Sequence, residues 1–246
     1  MDKNLNELIE GINYSDDCIS EISLDQMTEL FNTQIDDVIK KNSGASLIAL
    51  AALYQSEELL NLLNIDIDVC NTTEDAASAL MLCIANNNMH AIKFLIESGA
   101  DINLENEHGE TALFGSTFFG NVAAVKVLLA AGAHTQAQSE QAMSPLDAVL
   151  QGFLDSAEED TLSENNRVYL DIASCLVEAG VDATEKDEFG STFLDNIDEV
   201  QAEIEAVLES QADLEEEMTQ EEKEKFAAGL NQTITTLRDL KAILQK

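Results

Sequence analysis

A short pattern recurs at a fixed spacing of 33 residues, and this repeat limits the folds that the chain can adopt. The segment FLIESGA, from Phe94 to Ala100, is answered by VLLAAGA, from Val127 to Ala133. A further step reaches Ser144, after which the register breaks until Gly180, 48 residues after Gly132. A period of this length is typical of a solenoid, in which each unit stacks on its neighbours because it cannot bury its apolar stripe alone.

One unit of the repeat predicts two helices and a projecting loop. Thr111 is a candidate N-cap for a short apolar helix that ends near Phe119. The Gly120-Asn121 pair then turns the chain, because glycine adopts positive φ readily. Val122 to Ala130 predicts a second helix, which the following glycine ends. The polar stretch after it is too short for another helix and predicts a hairpin-like finger.

These residues resemble the ankyrin repeat, through EHGETALF, FGN, VLLAAGAHT and, one unit earlier, FLIESGADIN. The resemblance covers residues 43–198 and implies an all-α ankyrin-repeat solenoid of about four to five helix-turn-helix units, with helical N- and C-terminal caps. The chain departs from the family pattern at several places: its proline remains only at Pro145, and Asp66 stands where the first unit should have glycine. The histidine of the pattern is replaced by Met81, Phe114, Asp147 and Asp195.

The segment before the repeats, residues 1–42, predicts a helical cap. Ser23 and Gln26 form a candidate capping box, and Gly44 is the expected helix stop. Between the third and fourth units, an insertion at about 154–168 predicts a solvated polar loop, with contact to a partner as the alternative reading.

The segment after the repeats, residues 199–246, predicts an acidic helical extension with a second capping box at Thr219 and Glu222. Its apolar residues share one helical face: Phe226, Leu230, Ile234, Leu237, Leu240 and Leu244. Three interpretations remain open: a helix folded back as a cap, a short coiled coil that permits weak self-association of an otherwise monomeric chain, or a glutamate-rich export signal of the kind found in some bacterial effectors.

The net charge of −36, from 12 Lys and Arg against 48 Asp and Glu, is the most unusual global property of the chain. Such a surface repels nucleic acids and anionic membranes, so neither is an expected partner. It attracts a basic protein, or it serves only to keep the chain dispersed. The N-terminus shows no secretory signal pattern, no apolar run is long enough to span a bilayer, and the four cysteines suit free thiols in a cytoplasmic protein.

A search for chemistry finds no catalytic constellation. The three histidines are His90, His108 and His134, and none lies at metal-ligand spacing from a cysteine. Nucleophile elbows, phosphate-binding loops and zinc-protease motifs are absent. The sequence therefore predicts a non-enzyme without a cofactor or metal ion.

The ankyrin resemblance implies a protein-binding face along the finger tips and the outer ends of the first helices. The positions carried over as partner-binding are Glu74, Asp75, Glu107, His108, Glu110, Phe118, Phe119, Glu140, Gln141, Met143, Glu188 and Phe189. Apolar rings among carboxylates suit a basic partner, with one ring of the phenylalanine pair expected to turn inward and pack on the neighbouring repeat. We therefore expect a module that binds and inhibits or sequesters a basic protein, with an immunity protein or antitoxin against a nuclease-like toxin as the specific form. The alternative is an exported bacterial ankyrin effector or scaffold that acts on host proteins.

Overall fold

The computed structural model describes residues 22–39, 44–70, 77–136, 144–158, 165–185, 190–210 and 220–245. These residues form eleven α-helices, and the chain divides into two compact units, residues 1–143 and residues 144–246. The first unit contains α1 (Leu24–Ile39), α2 (Gly44–Leu53), α3 (Glu57–Leu63), α4 (Ala79–Ala85), α5 (Met89–Glu97), α6 (Ala112–Phe118) and α7 (Val122–Ala130). The second contains α8 (Pro145–Glu158), α9 (Asn165–Glu178), α10 (Phe193–Ser210) and α11 (Gln220–Leu244).

Helix α1 covers the start of the first unit, as its apolar spacing predicts. The capping box is confirmed: the Ser23 N–H donates to Gln26 Oε1 at 2.9 Å, and the Gln26 N–H donates to Ser23 Oγ at 3.2 Å. Met27 and Phe31 are fully buried, and α1 packs against α3. The expected stop at Gly44 is wrong, because this glycine is the first residue of α2.

Three helix pairs follow, α2 with α3, α4 with α5 and α6 with α7. Short polar side chains cap them, each accepting a hydrogen bond from the backbone N–H three residues later, which satisfies a donor that the helix leaves unpaired. These caps are Ser56, Ser78, Asn88, Thr111 and Asn121. The predicted N-cap at Thr111 and the bounds of α7 are thus confirmed, and Gly120 and Gly132 have φ of 68° and 93° as their turns require.

The first repeat differs from the expected register at the end of its second helix. Helix α3 has seven residues, whereas α5 and α7 have nine. The left-handed residue that ends α3 is Asn64, with φ of 47°, so Asp66 does not take the place of the glycine. Asparagine tolerates this conformation better than most residues, which explains why the unit folds without glycine there.

The core of the first unit follows the 33-residue period. Leu47, Leu80 and Leu113 occupy equivalent places on the first helices, and each is at most 2% exposed. Leu95 and Leu128 do the same on the second helices and are fully buried. The period thus places one leucine each of α2, α4, α5, α6 and α7 in the apolar interior, which a single repeat could not provide.

The second unit begins with a longer helix pair. Helices α8 and α9 have 14 residues each, so much of the expected insertion loop is helical and only residues 159–164 separate them. Phe153 and Tyr169 are buried and pack edge to face, with ring centroids 6.3 Å apart. This aromatic contact joins the two helices on either side of the polar stretch.

The residues that replace the histidine of the repeat pattern in this unit are helix caps. The Asp147 carboxylate accepts from the N–H of Ser144 at 3.0 Å, and Ser144 Oγ accepts from the N–H of Asp147 at 3.2 Å. Thr192 and Asp195 form the same reciprocal pair at α10. At both positions, the aspartate that departs from the pattern therefore helps to start a helix through a reciprocal pair of hydrogen bonds, as in a capping box.

Helix α11 folds back onto α9 and α10 within the second unit, as the cap interpretation expects. Most of its predicted apolar face is buried: Ile234, Leu237, Leu240 and Leu244. Two of its cations pair with acids of α10: Arg238 with Glu205, and Lys241 with Asp198. Helix α10 itself runs through the boundary expected at residues 198 and 199, while the Thr219–Glu222 capping box and the Phe226 side chain lie outside the described residues.

Candidate protein-binding surface

The finger before α6 is a turn held by one asparagine, Asn106. Its Oδ1 accepts from the N–H groups of His108 and Glu110, both at 2.9 Å, and its Nδ2 donates to Glu110 Oε2 at 2.7 Å. Gly109 within the turn has φ of 76°. Because the turn is fixed from inside, the exposed Glu107 and His108 at its tip are held before any partner arrives.

Helix α6 presents one accessible stripe, which comprises Thr111, Gly115, Phe118 and Phe119. Successive residues of a helix are 100° apart, so these four lie within one narrow sector. The five other residues of α6 are buried: Ala112, Leu113, Phe114, Ser116 and Thr117. The α6 stripe therefore begins beside Glu110 and ends at Phe119.

Three aromatic rings lead from the interior to the end of the α6 stripe. Phe114 is 4% exposed, and its ring stacks on that of Phe118, with centroids 6.4 Å apart and planes at 6°. Phe118 in turn meets Phe119 edge to face at 5.3 Å. Phe119 is 56% exposed. Phe118 is thus half-buried against Phe114 of its own helix, and Phe119 projects into solvent from the Phe118 ring.

Charge is distributed unevenly over the first unit. Between residues 44 and 136 the sequence contains only two cations, Lys93 and Lys126, and both are exposed on the second helices α5 and α7. The finger before α6 carries Glu107 and Glu110 without a compensating cation. An approaching basic molecule is therefore attracted to the side of the fingers and first helices.

Polar side chains also link successive repeats along the base of the fingers. The Asp101 N–H donates to Asp68 Oδ1 at 2.7 Å, and the His134 N–H donates to Asn103 Oδ1 at 2.8 Å. Burial raises the pKa of Asp68, and the nearby charge of Asp101 raises it further, although the backbone hydrogen bond opposes both effects. These hydrogen bonds join successive repeats directly, next to the finger that precedes α6.

The structure brings together only part of the predicted site. Glu107, His108 and Glu110 share the finger, and Phe118 and Phe119 share the α6 stripe. The remaining predicted residues lie outside the described part of the chain: Glu74, Asp75, Glu140, Gln141, Met143, Glu188 and Phe189. Sequence reasoning missed Asn106 and Gly115, although Asn106 stands where the repeat pattern has its turn-forming aspartate.

The described residues contain no cluster of three or more His, Cys, Asp or Glu side chains that could hold a metal ion. Their cysteines are free thiols, half-buried at Cys70 and Cys175 and fully buried at Cys83. Burial raises the pKa of the Cys83 thiol to about 12, so this side chain is a core residue. No helix in the described ranges has the length and apolar character to cross a membrane.

Helix pairs at a fixed period, with a finger held by hydrogen bonds and a supported aromatic ring, define a repeat module for protein–protein interaction. Residues 47–139 match the family model for ankyrin repeats in three copies. This part of the chain therefore consists of ankyrin repeats, as its sequence pattern indicates. The second unit lies outside this match, although α8 and α9 have the same helix-pair arrangement.

Similar proteins carry the same repeat. An ankyrin repeat protein of Acanthamoeba polyphaga mimivirus is 29% identical over 112 residues, which are 45% of this chain and 67% of that protein. The ankyrin repeat and SAM domain-containing protein 6 of Rattus norvegicus is 34% identical over 77 residues, which are 31% of this chain and 9% of that protein. A crystal structure of the ankyrin repeat domain of Bcl-3, described as a unique member of the IkappaB protein family, matches with a TM-score of 0.47 at 21% identity, covering 69% of this chain and 75% of that one.

Proposed function

We propose that the first unit binds a protein with a basic surface, through the finger at Glu107 to Glu110 and the α6 stripe, and that binding inhibits or sequesters this protein. The observation that carries the proposal is the exposure of Phe119, whose ring packs edge to face on the half-buried Phe118 at the end of a stripe that begins beside Glu110; neither the finger nor α6 contains lysine or arginine. An exposed ring on a rigid support is a favourable anchor, because little conformational freedom is lost when it is covered.

The two features contribute differently to binding. The net charge of −36 accelerates encounter with a basic partner and favours it over acidic competitors. The Phe119 ring supplies contact area, and a lysine or arginine placed over its face adds about 0.5–2 kcal/mol. Charge thus sets the rate and selectivity of association, and the aromatic anchor sets how slowly the complex dissociates.

The specific form of the proposal is an immunity protein or antitoxin that covers the basic nucleic-acid site of a nuclease-like toxin. Nucleic-acid sites are rich in lysine and arginine because they must neutralise phosphates. An acidic face with an aromatic anchor can occupy such a site and compete with the nucleic acid. The partner-binding function and the inhibitory outcome are separate statements, and they are tested separately.

Affinity capture from the source cells, followed by mass spectrometry, identifies the partner, and the purified pair then allows measurement of association. The variant Phe119→Ala should raise the Kd by about 30-fold, as loss of an anchor residue typically does. The matched control is Val207→Ala, which shortens an exposed apolar side chain of the second unit and should leave the Kd unchanged. Raising salt from about 50 to 500 mM should slow association, since screening shortens the range of the charge.

Three results would count against the proposal. They are an acidic captured partner, a Kd that does not respond to Phe119→Ala, and an association rate independent of salt. Inhibition is measured as loss of the partner's own activity when the complex forms. A captured protein that keeps full activity in the complex would refute the inhibitory part alone.

The alternative function is an exported effector that uses the same face on host proteins. The observation behind it is the run EEEMTQEEKEKF, residues 215–226, whose second half enters α11. Deleting the terminal helix would expose the apolar surface that it covers, so a charge variant is the sharper test. Replacing the three glutamates at 215–217 with glutamine should abolish export and leave thermal unfolding unchanged if the run is a signal. Unchanged export would exclude this role for the run.

A further inference from the structure

Gly115 occupies the middle of α6, where the fold itself does not require glycine. A Cβ added there would meet a single neighbouring atom within 4 Å, Ile84 Cγ2 at 3.9 Å, which is ordinary van der Waals contact. The residue makes regular helix hydrogen bonds, donating to Thr111 O and accepting from the N–H of Phe119, both at 3.0 Å. Glycine inside a helix is less stable than alanine, so this position carries a cost that packing does not explain.

The location of Gly115 suggests what the missing side chain allows. It lies on the accessible α6 stripe, between the finger and the Phe119 anchor. The preceding repeat has Leu82 at the equivalent position, and that side chain is half-buried. The repeat therefore accommodates a leucine, and the glycine leaves a notch in the stripe between the carboxylates and the exposed ring.

The two ends of the stripe are separated by a distance that fits a short peptide segment. Glu110 and Phe119 are nine residues apart, and a helix rises 1.5 Å per residue, so they are about 13 Å apart along the axis. An extended chain advances about 3.3 Å per residue and covers this distance in about four residues. Glu110 is held by Asn106, so its carboxylate is a fixed acceptor at one end.

We propose that the occupant of the α6 stripe is an extended segment of the partner whose backbone passes over Gly115 and which carries two basic side chains about four residues apart. One basic side chain meets Glu107 and Glu110, and the other lies over the Phe119 ring. The inference rests on the proposed function and adds the conformation and spacing of the partner's contact. Charge complementarity supports this occupant, because the finger and α6 contain no lysine or arginine that would repel it.

The first test varies the notch and uses the partner identified by capture. Gly115→Ala and Gly115→Leu fill the space over the α6 backbone. We expect the Kd to rise by about threefold for the alanine variant and by more than about tenfold for the leucine variant. The melting temperature should rise or stay the same, since alanine and leucine favour the helix more than glycine does. The control is Ala123→Leu, which enlarges an exposed side chain on α7 of the same repeat and should not change Kd.

The second test does not need the partner. A phage-displayed library of random twelve-residue peptides is selected on the full-length protein, with the Phe119→Ala variant as the counter-selection. Enriched peptides should carry two lysines or arginines separated by three to four residues. Enrichment of peptides without cations, enrichment without that spacing, or no enrichment over the variant would overturn the inference.

The outcomes separate this inference from the proposed function. If Phe119→Ala weakens the complex while Gly115→Leu leaves it unchanged, the partner binds through a folded surface, so the extended segment is refuted and the proposed function stands. If neither change affects the complex, the binding site itself is elsewhere and both proposals fail. If Gly115→Leu lowers the melting temperature sharply, the Kd of the Gly115→Ala variant is the test instead: a rise of about threefold supports the extended segment, and an unchanged Kd refutes it.

Discussion

Removing one buried hydroxyl should stabilise the first unit. Thr117 is fully buried in α6, and its Oγ1 has no hydrogen-bond partner among the residues that the structure describes. The neighbouring hydroxyl of Ser116 is also fully buried, yet it donates to the carbonyl oxygen of Leu113 at 2.9 Å. Two adjacent buried hydroxyls in one helix therefore differ in whether they make a hydrogen bond, which decides their contribution to stability. The variant Thr117→Val removes only the hydroxyl that makes none.

The magnitude follows from the cost of leaving a polar atom unpaired. A buried hydroxyl without a partner costs about 1–3 kcal/mol, whereas an apolar group of the same shape carries no such penalty. Valine has the shape of threonine, and their helix propensities are similar, so the substitution adds little strain. We expect Thr117→Val to raise the free energy of unfolding by about 1–2 kcal/mol.

Urea unfolding followed by far-UV circular dichroism measures this change. With a slope of about 2 kcal/mol/M, the midpoint should rise by roughly 0.5–1 M. Ser116→Ala serves as the control: it removes a satisfied hydroxyl, which costs about 1 kcal/mol, and regains about 0.5 kcal/mol of helix propensity. A lower midpoint for Thr117→Val, or an equal gain for both variants, would refute the reasoning.

Three further changes test other parts of the structure. Because burial raises the pKa of Cys83 from its ordinary value of 9.0 to about 12, the stability from its protonated thiol is complete below pH 9 and is lost as the pH rises towards 12; at pH 10.5 the loss is about 2 kcal/mol. The difference in urea midpoint between pH 8 and 10.5 should shrink in Cys83→Ala, and an unchanged difference would contradict the assignment. Gln55 has φ of 48°, so Gln55→Gly should raise the free energy of unfolding by about 0.5–1 kcal/mol, and a lower urea midpoint would show that its side chain matters more than its backbone. Lys241→Ala removes the partly exposed pair with Asp198 and should cost less than about 1 kcal/mol; a loss that persists in high salt would indicate packing instead of charge.

Local signals in the sequence predict much of the first unit. The bounds of α7 follow from a cap at Asn121 and a left-handed glycine at Gly132. The capping box at Ser23 likewise depends on residues three positions apart. Such features act over one helical turn, so they can be recognised without knowing what the helix packs against.

Other features depend on alternatives that the sequence leaves open. The repeat pattern expects a glycine at position 66 to end α3. The helix instead ends two residues earlier, at Asn64, because asparagine can also adopt the left-handed conformation. Most of the polar insertion at 154–168 belongs to α8 and α9, which the contact between Phe153 and Tyr169 joins. Polarity predicts exposure to solvent, and an exposed face is compatible with a loop or with a helix.

The candidate binding surface also combines features that the sequence predicts with features that it leaves open. The ankyrin pattern carries Phe118 and Phe119 to positions that contact partners in that family, and the acidic composition favours a basic partner. The pattern does not distinguish the supporting ring from the exposed one, because that depends on where Phe114 lies beneath them. Gly115 was overlooked for a related reason: its significance depends on the space around its missing side chain.

By itself, the sequence determined the 33-residue period, the helix pairs of the repeat and the net charge of −36. These properties depend on residue types and short spacings, which are read directly along the chain. Only the tertiary structure decided that Phe119 projects, that Thr117 is buried with no hydrogen-bond partner among the described residues, and that the space at Gly115 would admit a Cβ atom. Exposure and free space are properties of atoms distant in the chain, so they exist only after the helices have packed.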